Sequence, residues 1–287
     1  MARSRAAIAF RFAAAVAFCL GLAGCEERQA DRLPPPPDAD EIDRLRSLPY
    51  VGFSPDPADR TRRGVVLLDE ERSWPGYNLY SNHKLCSAYL IDATGETVRS
   101  WERPGRHWAN CELLPDGDLL VVGTDPAPDG GDEPDDAFRF LMRFSWEGEL
   151  LWKREIPAHH DVELTPDGRL LTLGVRLRRV PALHPTIDVR DNPLLLLDAE
   201  GRFVAERSMF DLFAAAPDLF SFQPVRPRMR RGRPQIVLFH ANSVEWMHHP
   251  HLAERHQLYA PGNVLFCSRH QDTIAVIDWE RGELVWA

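Results

Sequence analysis

The chain has 287 residues, 44% of them hydrophobic and 27% charged, which is enough to bury a sizeable core and too apolar for a disordered protein. Its formal charge of −9 argues against nucleic acid as a partner, because phosphate neutralisation needs a basic face.

Residues 1–24 have the features of an export signal. Arg3, Arg5 and Arg11 lead into FAAAVAFCLGLAG, an apolar run too short and too soon interrupted for a lasting membrane span. Leu22-Ala23-Gly24-Cys25 resembles a bacterial lipobox, in which Cys25 is lipidated and becomes the new N-terminus; an ordinary secretory signal is the alternative. Glu26 after the lipidated cysteine points to the outer membrane rather than inner-membrane retention, so an envelope or periplasmic lipoprotein is expected. Residues 25–47 are polar and proline-rich and form the expected tether. The folded body is expected over 48–287.

Export places Cys86, Cys111 and Cys267 in an oxidising space, and an odd number allows one disulfide at most. Cys86 and Cys111, on neighbouring strands, are the expected pair, with three buried thiols as the alternative. No cysteine–histidine spacing resembles a structural zinc site, and no metal is expected.

From about Gly64 the chain repeats. AYLIDATGETVRSW, LMRFSWEGELLWKRE, PLLLLDAEGRFVAER and IAVIDWERGELVW each read as strand, glycine turn and strand, and Gly95, Gly148 and Gly201 are equally spaced. A second hairpin recurs as ELLPDGDLLVVG and ELTPDGRLLTLG, with a degenerate copy in PGNVLFCS. Two hairpins per unit predict an all-β fold, a β-propeller of about four visible blades. Only MFDLFAAAPDLF looks helical, inside an insertion of roughly 210–233. The chain stops at ELVWA, inside a blade-like strand, and further blades are expected beyond it.

The innermost strand of each blade lines the propeller axis, so residues heading it converge. Those heads hold His107 and Asn110; His159, His160 and Asp161; and His240 and Asn242, while Arg269 and His270 sit on the next strand. Single histidines commonly cap strands; the set at equivalent positions points to a site for a small anion or polar ligand.

HHDVELTPDG, FHANSVEW and NVLFCSRHQDTIAVIDWERGELVW resemble the motifs of the bacterial arylsulfate sulfotransferase family. The resemblance implies an exported six-bladed propeller that moves a sulfuryl group from a phenolic sulfate donor to a phenolic acceptor, without a nucleotide sulfate donor or other cofactor. It implies that His240, Asn242 and Arg269 hold the sulfate, with His240 and one of His159 or His160 catalytic. The family's nucleophilic histidine, which carries the sulfuryl group covalently, is expected beyond Ala287. The link between Asn242 and Arg269, MHHPHLAERHQLYAPG, is longer than the pattern. PVRPRMRRGRP is expected to be an extended, solvated basic loop that faces the acidic 125–136 stretch or steers anions. A non-catalytic propeller lipoprotein, acting as scaffold or binding module, is the rival reading.

Overall fold

The computed structural model describes residues 64–287 except 84, 106, 127 and 129–135. The expected signal segment, lipidated Cys25 and tether lie outside the described residues.

The described chain is all-β, with five sheets and short helices between them. The first sheet has three strands, β1 (Asn78–Asn82), β2 (Ser87–Ile91) and β3 (Thr97–Glu102). The second has four, β4 (His107–Leu113), β5 (Leu119–Thr124), β6 (Arg139–Phe144) and β7 (Leu150–Arg154), each antiparallel to the next. The third runs β8 (Ala158–Leu164), β9 (Leu170–Gly174), β12 (Leu194–Leu197) and β13 (Phe203–Arg207). The fourth is β16 (Ala241–Trp246), β17 (Asn263–Ser268), β18 (Thr273–Asp278) and β19 (Glu283–Trp286). Every repeated hairpin of the sequence is therefore a hairpin of the fold, and the four blades are present.

Burial between the blades follows from the two-residue period of a strand. On β5, Leu119 and Val121 join one core with Trp101 and Phe144, facing the first blade. Leu120 and Val122 join a second core with Val162, Leu170 and Leu195, facing the third. All four side chains are fully buried, each contributing about 1.5–3 kcal/mol. A polar clasp repeats at the rim. Arg99 of β3 donates to the Trp146 carbonyl in the next blade's turn, and Arg207 of β13 donates to that of Trp279 at 3.0 Å. Each guanidinium also lies over the indole of that tryptophan.

The insertion differs from its sequence reading. Helix α1 (Met209–Ala214) forms where expected, capped by Ser208, whose hydroxyl accepts from the Asp211 amide. The basic run is not a loop. It folds into β14 (Arg228–Arg230) and β15 (Arg233–Val237), which join β10 (Arg176–Arg178) and β11 (Asp188–Asp191) in a fifth sheet. Arg230 pairs with Arg233, so Arg231 and Gly232 make a two-residue turn, both at positive φ (45° and 72°). The parallel pairing of β11 with β15 attaches this hairpin to the third blade's own insertion.

Cys86, Cys111 and Cys267 are free thiols, so the expected Cys86–Cys111 bond is not present in this structure. Cys86 sits before β2, the second strand of its sheet, and Cys111 on β4 of the next sheet, rather than on adjacent strands of one sheet. Burial pushes the Cys111 thiol up to about 12, which keeps it protonated.

Candidate functional site

The inner strands β4, β8 and β16 carry the site at their heads, and each is irregular there. The pairing register shifts between Trp108 and Asn110, between His159 and Val162, and between Ala241 and Ser243. Such bulges kink a strand and re-aim its side chains. His160 and His240 occupy the left-handed backbone region, at φ 60° and 51°, which costs a residue with a Cβ about 1 kcal/mol. Strain of this kind persists where surrounding structure enforces it, commonly at functional sites.

Those bulges bring the histidines together. The ring centroids of His159 and His160 are 4.0 Å apart, those of His160 and His240 5.7 Å, and those of His240 and His270 4.9 Å. His83 and His107 form a second pair at 5.0 Å, and the charges of both bear on His160. Sequence reading missed His83, which follows β1 and belongs to no repeated hairpin.

Electrostatics favour the neutral forms of His159, His160 and His240. Burial, reinforced by His270 and His160, holds His240 at about 4. Burial lowers His160 too, with help from Arg139 and His107. His159 lies well below the usual histidine range because of burial and then His160. Of the two candidates, His159 is only 8% exposed and its Nδ1 has no hydrogen-bond partner, whereas His160 is half-buried. His270 Nδ1 lies 2.7 Å from the Val237 carbonyl. A carbonyl only accepts, so Nδ1 carries the proton and, in the neutral ring, Nε2 keeps a lone pair.

The other expected residues divide into two groups. Asn110 and Asp161 hold the strands rather than face a ligand. Asn110 Nδ2 donates to Asp161 Oδ1 at 2.9 Å, and Asp161 also accepts from the amides of Val162 and Val244. One carboxylate thus ties three blades. Glu163, two residues on, accepts from the Trp246 amide in the same manner. Asn242 and Arg269 are exposed beside His240. Asn242 is the residue skipped by the β16 bulge. The Arg269 amide donates to the His240 carbonyl at 3.3 Å, and its charge helps depress His240. The Arg269 guanidinium has no ion-pair partner among the described residues.

Two arginines outside the motifs complete the surroundings. Arg139 and Arg190 are 6% and 3% exposed and share Asp136, with Arg139 Nε and Arg190 Nη2 each 2.8 Å from Oδ1. Burial, then the charge of Arg230, pulls Arg190 down to about 9. Arg190 lies on β11 and Arg139 on β6, strands whose partnership no local pattern announces. Among the described residues no group of three histidine, cysteine or acidic side chains is placed to hold a metal ion.

The arrangement therefore offers the imidazoles of His160 and His240, the Asn242 amide and, from the turn after β17, the Arg269 guanidinium, which has no ion-pair partner among the described residues. Such a set can donate hydrogen bonds to the oxygens of a tetrahedral oxyanion and relay a proton through neutral imidazoles.

No curated protein matches the sequence. Among solved structures, hydrazine synthase of Kuenenia stuttgartiensis is similar at 14% identity and a TM-score of 0.43, over 71% of this chain and 49% of that one. BamB of Moraxella catarrhalis is similar at 13% identity and a TM-score of 0.36, over 76% of this chain and 50% of that one. A protein of unknown function from Bacteroides caccae gives 14% and 0.31, over 74% and 77%. The chain spans about half the length of the first two. The arylsulfotransferase (ASST) family model matches residues 61–287. That match takes in the whole described body, and the chain belongs to the arylsulfotransferase family.

Proposed function

We propose that the protein transfers a sulfuryl group from a phenolic sulfate ester to a phenol, through a covalent sulfo-histidine. The observation that carries this reading is the packing of His160, His240 and His270 beside the unpaired Arg269. Arg269 holds two sulfate oxygens in its fork, and Asn242 and His240 donate to the third. In the first half-reaction a histidine nitrogen attacks sulfur. The S–O bond to the aryl group breaks, the phenolate leaves with the electron pair, and it takes up the proton that the sulfonated ring releases from its other nitrogen, relayed through a neighbouring neutral imidazole. In the second, the acceptor phenol passes its proton to a neighbouring neutral imidazole as its oxygen attacks sulfur and the N–S bond breaks, and the freed ring takes that proton back. In both half-reactions His240, Asn242 and Arg269 bind, orient and stabilise charge. Sulfuryl transfer, like phosphoryl transfer, has a loose, charged transition state that such positioning serves.

The test is 4-nitrophenyl sulfate with and without phenol. The reading requires nitrophenol release that depends on phenol and is lost in His240→Ala. Release absent with both present leaves the scaffold or binding-module reading. The placement in the envelope through lipidated Cys25 is part of the same proposal, carried by residues 1–47. The intact mass of the mature protein from its host checks it; an N-terminus other than acylated Cys25 contradicts it.

A further inference from the structure

A cavity of about 510 Å³, lined by neither the histidines nor the sulfate-holding residues, is walled in part by Arg230, whose charge bears on His159. It falls within the size range of small-molecule sites, roughly 300–1,000 Å³. Arg230, Arg231, Arg233 and Gln235 of the β14–β15 hairpin wall it, with Asp136. Val175 and Leu177 add an apolar side.

Among the described lining residues, arginines outnumber acidic side chains. Asp136, the one acidic side chain among its described lining residues, is already engaged by Arg139 and Arg190. Arg230 and Arg233 have no ion-pair partner among the described residues. Gln235 is 8% exposed, and its Oε1 has no hydrogen-bond partner, an unmet acceptor in a buried position. The cavity is also electrostatically continuous with the histidines. The charge of Arg230 bears on His159, and that of Arg190 on His240.

An aromatic ring with an acidic substituent matches these walls. Val175 and Leu177 cover the ring, and the guanidinium groups of Arg230 and Arg233 take the anion. We propose that this cavity binds the acidic substituent of an aromatic substrate, so that phenols bearing a carboxylate or sulfonate are the preferred acceptors. The cavity's electrostatic link to a sulfuryl-transfer site rests on the function proposed above; its affinity for an aromatic acid does not.

Calorimetric titration with 4-hydroxybenzoate and with phenol separates the two. The intact protein should bind 4-hydroxybenzoate at least about 10-fold more tightly than phenol, as expected for a charge-assisted contact. Arg230→Gln with Arg233→Gln should erase that preference while leaving phenol affinity unchanged. Equal affinities in the intact protein, or a preference that survives the double change, overturn the proposal. Should the double variant misfold by circular dichroism, salt gives the same discrimination in the unaltered protein. The preference must shrink as ionic strength screens the arginines, and a salt-independent preference overturns it. A preserved preference without sulfuryl transfer would count against the transferase reading and not against the cavity; transfer without the preference would do the reverse.

Discussion

Asn110 donates through Nδ2 to Asp161 Oδ1 at 2.9 Å, joining the same position on two successive inner strands. Asp161 passes the link to the third inner strand through the Val244 amide at 3.0 Å. The strand heads that carry the histidines are thereby held to one another, and the pleats of the blades alone would not do this.

Removing that carboxylate should be costly. Asp161→Ala strands the amides of Val162 and Val244 and the Asn110 side chain, and should lower unfolding free energy by about 2–4 kcal/mol. Asp161→Asn, which keeps one acceptor oxygen, should cost less. Urea denaturation checks both; a loss below about 0.5 kcal/mol for the alanine variant contradicts the three-blade tie.

The left-handed backbone at His240 makes a separate prediction. Glycine enters that conformation freely, so His240→Gly should be more stable than His240→Ala by about 1 kcal/mol. Both variants should lose aryl sulfate binding. Thermal unfolding of the pair settles the backbone claim, and an alanine variant at least as stable as the glycine variant refutes it.

Glu163 and His240 respond to pH in opposite senses. Burial raises Glu163 from 4.5 to about 7, so its share of stability is complete below 4.5 and lost as pH rises through 7. His240 is lowered from 6.5 to about 4, so its share is complete above 6.5 and lost as pH falls towards 4. Glu163→Gln keeps an acceptor for the Trp246 amide and removes the ionisation. Its Tm should exceed that of the unaltered protein at pH 8.5, with the difference disappearing by pH 4.5. A Tm difference independent of pH would contradict the raised value.

Close packing at the head of β4 leaves no room beside Gly123. A Cβ there would lie 2.7 Å from the His107 carbonyl oxygen and 2.4 Å from the Phe140 ring. Gly123→Ala should destabilise by about 1–3 kcal/mol and displace His107, read from its imidazole resonances. An unshifted His107 signal with full stability would show that the ring yields freely.

The blades were legible because each hairpin is local: strand, glycine turn and strand lie within one short stretch, as in LMRFSWEGELLWKRE. The convergence of His160 and His240 followed from the equivalence of strand heads, while His270, expected on the next strand, joins them from the turn after β17. The fifth sheet was not legible. Its strands are three to five residues long, and β11 pairs in parallel with β15 across the whole of β12, β13 and α1. A proline within β15 further disguises it. His83 was missed because β1 has no repeated copy, and Asn110 and Asp161 were assigned to the ligand although their hydrogen bonds go to neighbouring strands.

The central claim is that the histidine cluster and Arg269 hold a sulfate ester, and direct titration of 4-nitrophenyl sulfate into the protein tests it. The account predicts saturable binding that weakens about 10- to 100-fold in Arg269→Ala, the loss of a charge-assisted contact, while the thermal transition stays in place. Equal affinity in the folded variant would remove Arg269 from the site and with it the proposed sulfate cage.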